Sequence, residues 1–91
     1  MSNLDRVLKH RADIRYRLVG DEAVVVRQDA AEVLAINDVG ARILELIDAK
    51  STVAQLVETM STEYDVGREE LLVDVENFVD AMHDAGIVEE V

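Results

Sequence analysis

On a helix Glu76, Asp80 and His83 fall at i, i+4 and i+7, so two carboxylates and an imidazole would run down one flank, as sharing a divalent cation requires. The histidine count weighs against that use. The only other histidine, His10, lies far away in the chain, and no pair has the spacing of a zinc motif. A solvated polar face explains the same three residues, and no metal is expected. Other carboxylates are abundant, but on exposed helix faces they keep ordinary acidity and do no acid–base work. Cysteine is absent, which excludes disulfides, thiolate zinc sites and cysteine nucleophiles together. Gly20, Gly40, Gly67 and Gly86 are isolated, so no phosphate-cradling loop exists. The residues point to a binding module without catalysis and without a cofactor.

Charge narrows the partner. Twenty acidic residues against 9 basic ones give a net charge of −11. Arg6, Lys9, Arg11, Arg15 and Arg17 crowd the beginning, whereas from Glu58 onward Arg68 is the sole cation. Nucleic-acid binding draws on cations that displace condensed counterions, so such a chain repels DNA and RNA. Neither a long apolar span nor a charged start with an apolar core follows from the sequence, so no membrane segment is expected and the cytoplasm is the expected compartment. With 91 residues, 49% of them hydrophobic, the chain suits one domain with a modest core.

The elements that would position a binding surface follow from periodicity. Residues 1–13 have no clear period and are expected to be a flexible arm, with a single domain over 14–91. In "IRYRLVG" Ile14, Tyr16 and Leu18 alternate with Arg15 and Arg17, which predicts a strand with one wet face. Gly20-Asp21 supplies a turn, "EAVVVRQ" a β-branched second strand, and "EVLAI" a third, Glu32 to Ile36. Helical spacing begins after Asn37, where Asn37 or Asp38 can cap a first helix with Val39, Ile43, Leu46 and Ile47 inward. Thr52 and Gln55 have capping-box spacing at the second helix, and Leu71, Leu72, Val75, Phe78, Val79 and Met82 stripe the third, which Gly86 ends. The order predicts an α+β fold: a three-stranded antiparallel sheet followed by three helices, winged helix-turn-helix-like.

Within that frame "EVLAI" is apolar and carries no proline, bulge glycine or inward lysine to protect its edge. Two readings stay open from pattern alone: an edge strand that receives an extended peptide, or a central strand paired on both sides. Gly40, on the inward stripe, costs about 1 kcal/mol of helix propensity and is expected to let the first helix approach the sheet closely.

The run from Tyr16 to Val88 resembles the PqqD-like family of peptide-recognition elements. The resemblance lies in "LAIN" followed by Gly40, "STVAQLV", "YDV", "DVENFV" and "AGIV", taken in order and spacing. It implies a non-catalytic module that binds the leader segment of a ribosomally made precursor peptide as an added strand and delivers it to a modifying enzyme, often a radical S-adenosylmethionine enzyme. Mapped here, Glu32, Val33, Leu34, Ala35 and Ile36 would receive the peptide. Leu72, Val75, Glu76, Val79 and His83 would line the facing side of the third helix, although Asp74, Phe78 and Met82 occupy the other flank and packing decides between them. Leu34→Pro would abolish binding if the Leu34 amide faces the peptide.

Two other classes compete. A carrier protein would need an Asp-Ser attachment motif, and none of Ser2, Ser51 and Ser61 follows an aspartate. A small acidic interaction or dimerisation domain that binds no leader, with self-pairing through an open sheet edge as the route to a homodimer, is the alternative. The acidic third helix suggests that the partner presents lysine or arginine there.

Overall fold

The computed structural model describes residues 3–91. Their order is a 3-10 turn at Asn3–Asp5, then β1 (Leu8–His10), β2 (Ile14–Val19), β3 (Glu22–Arg27), β4 (Glu32–Ile36), α1 (Asp38–Leu46), α2 (Val53–Glu63), α3 (Arg68–Asp84) and β5 (Val88–Glu90). The three strands expected from the sequence form an antiparallel meander in the order β2-β3-β4. β4 is therefore an edge strand, which decides between the two readings of "EVLAI".

Alternation fixes the faces of this sheet. Tyr16 pairs with Val25, which pairs with Leu34; Leu18 pairs with Ala23, which pairs with Ile36. Val25 and Ala23 are buried, so these rows face the helices, and the rows between them face away. Gly20 turns β2 into β3 with φ of +63°, a left-handed value that glycine adopts without a Cβ penalty.

Local chemistry starts and stops the helices. The Gly40 amide donates to Asn37 Oδ1 at 2.9 Å, capping α1. At α2 the Gln55 amide donates to Thr52 Oγ1 at 3.2 Å and the Thr52 amide to Gln55 Oε1 at 2.7 Å, the reciprocal pair that satisfies two free amides. α3 ends in a Schellman motif: the Gly86 amide donates to His83 O, the Ile87 amide to Met82 O, and Gly86 takes φ of +75°. α1 differs from its expected stripe in detail. Ile43 and Ile47 are buried, but Val39 and Leu46 are only half-buried, while Ala41 and Leu44 join the core. The helix must satisfy the sheet on one side and its sister helices on the other, which widens its apolar face.

The expected flexible arm is, from residue 3 onward, part of the fold; Met1 and Ser2 lie outside the described residues. β1 pairs antiparallel with β5, Leu8 opposite Glu90, and Leu8 is buried in the single core cluster with Ile87 and Val88. Arg6 is clasped by Asp80 and Glu90, at 2.8 Å each, and its carbonyl accepts from the Val53 amide. A three-residue strand has too few positions for a period to appear, and its partner lies at the far end of the chain. Tertiary pairing supplies what the local pattern lacks.

Candidate functional site

β4 exposes two kinds of group along its outer side: side chains that alternate between faces, and backbone that alternates between β3 and open space. The Gln28 amide donates to Asp13 O at 3.2 Å, so 13 and 28 are a hydrogen-bonded pair of the β2–β3 ladder. Pairs two residues on, Arg15–Val26 and Arg17–Val24, then exchange hydrogen bonds as well, and the two-residue Gly20-Asp21 turn is closed by Val19–Glu22 in the same phase. Ala23, Val25 and Arg27 consequently turn their backbone groups toward Ile36, Leu34 and Glu32 of β4. The amides and carbonyls of Val33 and Ala35 are left pointing out from the free edge. The Leu34 amide serves the ladder instead, so Leu34→Pro would damage the sheet rather than probe the edge.

The edges of the sheet are unequal. β2 carries Arg15 and Arg17, charges that discourage another strand from pairing there, whereas β4 offers Val33, Leu34 and Ala35 with no charge between Glu32 and Asp38. Glu32 itself is held by Arg27 at 3.5 Å.

The wall opposite β4 is built around Gly40. A Cβ at that position would lie 2.5 Å from Phe78 Cε1 and 2.6 Å from Ile36 Cγ2. The end of β4, the first turn of α1 and the middle of α3 therefore meet where glycine alone fits. Beside this junction Asn37, Val39, Gly40, Ile43, Asp74, Asn77 and Phe78 line a hollow of about 320 Å³. Phe78 is the only phenylalanine of the chain and lies half-buried there. Gly40→Ala sets about 1 kcal/mol of better helix propensity against about 1–3 kcal/mol of overpacking. The expected outcome is a net loss of about 1 kcal/mol in denaturant unfolding with displaced Phe78 ring resonances; unchanged stability and ring shifts would contradict the close fit.

On α3 it is Phe78 that meets the end of β4 at Gly40, with Asp74 and Asn77 beside it on the hollow. Val75 and Val79 are wholly buried and have no surface to offer a ligand. Leu71 and Met82 complete that core-facing stripe, and Leu72, Glu76 and His83 follow on its far side. Of these, Leu72 and Glu76 are half-buried and His83 is exposed. The carboxylate between them, Asp80, is engaged by Arg6, so this flank presents no convergent metal face. The five residues of β4 lie together as expected: Ile36 buried, Leu34 half-buried on the helix-facing side, and Glu32, Val33 and Ala35 exposed. Phe78 lies on the flank whose orientation the sequence left to packing, and its lone large ring is complementary in shape to the lone mid-stripe glycine.

Two larger hollows lie elsewhere. One, near Arg6, Ala49 and Glu90, belongs to the clasp between the chain's ends. The other contains the bidentate pair Arg42–Glu63, with Nε–Oε1 at 2.8 Å and Nη2–Oε2 at 2.6 Å. There the Arg42 guanidinium holds the Glu63 carboxyl below its ordinary value, and burial pushes the Tyr64 hydroxyl up. That pair joins α1 to α2 and is already satisfied.

A family model described as coenzyme PQQ synthesis protein D (PqqD) matches residues 22–88. No curated protein sequence matches the chain at a significant level. Among solved structures, TbiB1 in complex with the TbiA(beta) leader peptide superposes with a TM-score of 0.82 at 22% identity, over 89% of this chain and 94% of that one. Lasso peptide synthetase B1 complexed with its leader peptide gives 0.80 at 20% identity, over 90% and 96%. The PqqD truncation of Methylobacterium extorquens PqqCD, described as a stand-alone recognition element for ribosomally synthesized and post-translationally modified peptides, gives 0.78 at 18% identity, over 97% and 93%. At these identities the likeness is one of fold.

Proposed function

Because this chain belongs to the PqqD family, we propose that it is a non-catalytic module that captures the leader segment of a ribosomally made precursor peptide on β4 and presents it to a modifying enzyme. The observation that carries this reading is the pair of outward backbone groups at Val33 and Ala35 on an unguarded edge, beside a cleft. An incoming extended segment gains main-chain hydrogen bonds from the edge and side-chain selectivity from alternate residues that fall into the cleft. The half-buried Phe78 and Leu34 favour an apolar residue at such a position, and Asp74 favours a lysine or arginine near it. A radical S-adenosylmethionine enzyme is the partner we expect for the modification.

Among the described residues no helix is long and apolar enough to cross a membrane. The peptide and its enzyme are accordingly sought in the same aqueous compartment.

An amide NMR titration with the leader half of any short precursor peptide encoded beside this chain tests the reading. Shifts concentrated at Val33, Ala35 and the Asp74–Asn77–Phe78 flank, weakening as salt is raised, are the expected result. Absence of shifts at peptide excess, with the modifying enzyme also present, would refute leader capture.

A further inference from the structure

The face of the three-stranded sheet turned away from the helices is apolar and uncovered. Its rows are Arg15–Val26–Val33 and Arg17–Val24–Ala35, with Val19 beside Glu22 at the turn. Val33 is 67% exposed and Val19 58% exposed, and Val24 and Val26 are half-buried between them. Valines in outward positions serve a strand's own propensity, but four on one open face form a patch rather than scattered exposure.

The charges beside that patch run against the rest of the molecule. Of the nine Lys and Arg residues, Arg6, Lys9, Arg11, Arg27, Arg42 and Arg68 each make an ion pair with a carboxylate, and Lys50, at the α1–α2 link away from this sheet, makes none among the described residues. Arg15 and Arg17, adjacent on the same face of β2, make none among the described residues. Arg15 reaches only the carbonyls of Ala12 and Ile14. In a chain with 20 acidic side chains two neighbouring arginines without a carboxylate are a local reversal of sign. A partner approaching with carboxylates is repelled by the acidic helices and attracted by this adjacent pair, which orients the encounter.

The size of the face argues against a second copy as occupant. Three strands of about five residues cover about 250 Å², from about 4.8 Å between strands and 3.3 Å per residue. A stable interface takes about 800 Å² from each partner. A face this small suits a transient contact, or one enlarged by something already bound.

We propose that the outer face of β2-β3-β4 is the docking surface for the peptide-modifying enzyme, whose matching surface is apolar at its centre and fringed by aspartate or glutamate near Arg15 and Arg17. The inference rests on the leader-capture reading and extends it. A peptide added to β4 becomes a fourth strand, and its outward side chains continue the row that ends at Val33 and Ala35. The enzyme then meets a surface made jointly by module and cargo, and binds the loaded module more tightly than the empty one.

The test uses the full chain and any peptide-modifying enzyme encoded beside it, in purified form. Arg15→Glu combined with Arg17→Glu is expected to lower affinity for the enzyme at least tenfold at low salt, while the leader titration and the unfolding curve stay as in the wild type. Val19→Glu, at an exposed position far from the β4 edge, is expected to weaken the enzyme in the same direction. Unchanged enzyme affinity in both variants, or no enzyme binding by the wild type with or without peptide, overturns the proposal. So does a wild-type dimer in sedimentation that Val19→Glu dissolves, since the face would then belong to a second copy. If the leader fails to bind but the enzyme binds in an arginine-dependent way, leader capture falls and the docking surface stands.

Discussion

Ala35→Pro is expected to leave the protein folded and to reduce its affinity for a leader peptide by more than about tenfold. Proline removes one backbone donor and places a ring where the partner strand must come. In most strands that would break the ladder. At Ala35 the backbone faces the free edge, while Leu34 and Ile36 keep their hydrogen bonds to Val25 and Ala23. The residue before proline is biased to extended backbone, which Leu34 already has. One lost hydrogen bond is worth about 0.5–1.5 kcal/mol, and steric exclusion of the incoming strand adds to it. Calorimetry against the leader measures the loss, and thermal unfolding checks the fold. The matching control is Leu34→Pro, which is expected to destabilise the sheet itself. If Ala35→Pro binds as the wild type does, the peptide does not pair with β4.

Leu8→Ala has the largest expected effect on stability, a loss of about 2–5 kcal/mol. For a chain this short that is a large share of the total, which for small domains is about 5–15 kcal/mol. Leu8 is 2% exposed and sits in the same cluster as Leu56, Ile87 and Val88. Truncation leaves a cavity that the surrounding core fills only in part. Urea unfolding decides the matter: a midpoint indistinguishable from the wild type would mean that residues 3–13 are appended to the fold rather than built into it.

That second prediction could not have been made from the sequence. "LDRVLKHR" has no period because only Leu8 of its strand points into the core, and its partner is separated from it by almost the whole chain. Features set by local chemistry were legible. Asn37 and Thr52 cap helices because a short side-chain oxygen reaches a free amide wherever the chain runs next, and Gly86 ends α3 because few other residues accept its backbone angle. The strand Glu32–Ile36 was legible from its composition, and its edge position was not, since that depends on what lies beyond it. The flank of α3 was ambiguous for a related reason. Leu72 and Phe78 straddle the core stripe symmetrically, and only the contact of Phe78 with Gly40 breaks the tie. The phase of the β4 backbone lay closer to hand, because a two-residue turn at Gly20-Asp21 and consecutive pairings determine it once the register is known.

The pairing of β1 with β5 has a consequence for how such a unit travels between proteins. Leu8 stands directly opposite Glu90, so the first and last strands of the domain lie side by side, about 5 Å apart at the backbone. A segment with adjoining ends is spliced into a surface loop of another protein without prising that loop open, and it keeps its own core intact while there. The same zipper that closes this small fold makes it portable as a cassette, with β4 and its cleft carried along unchanged.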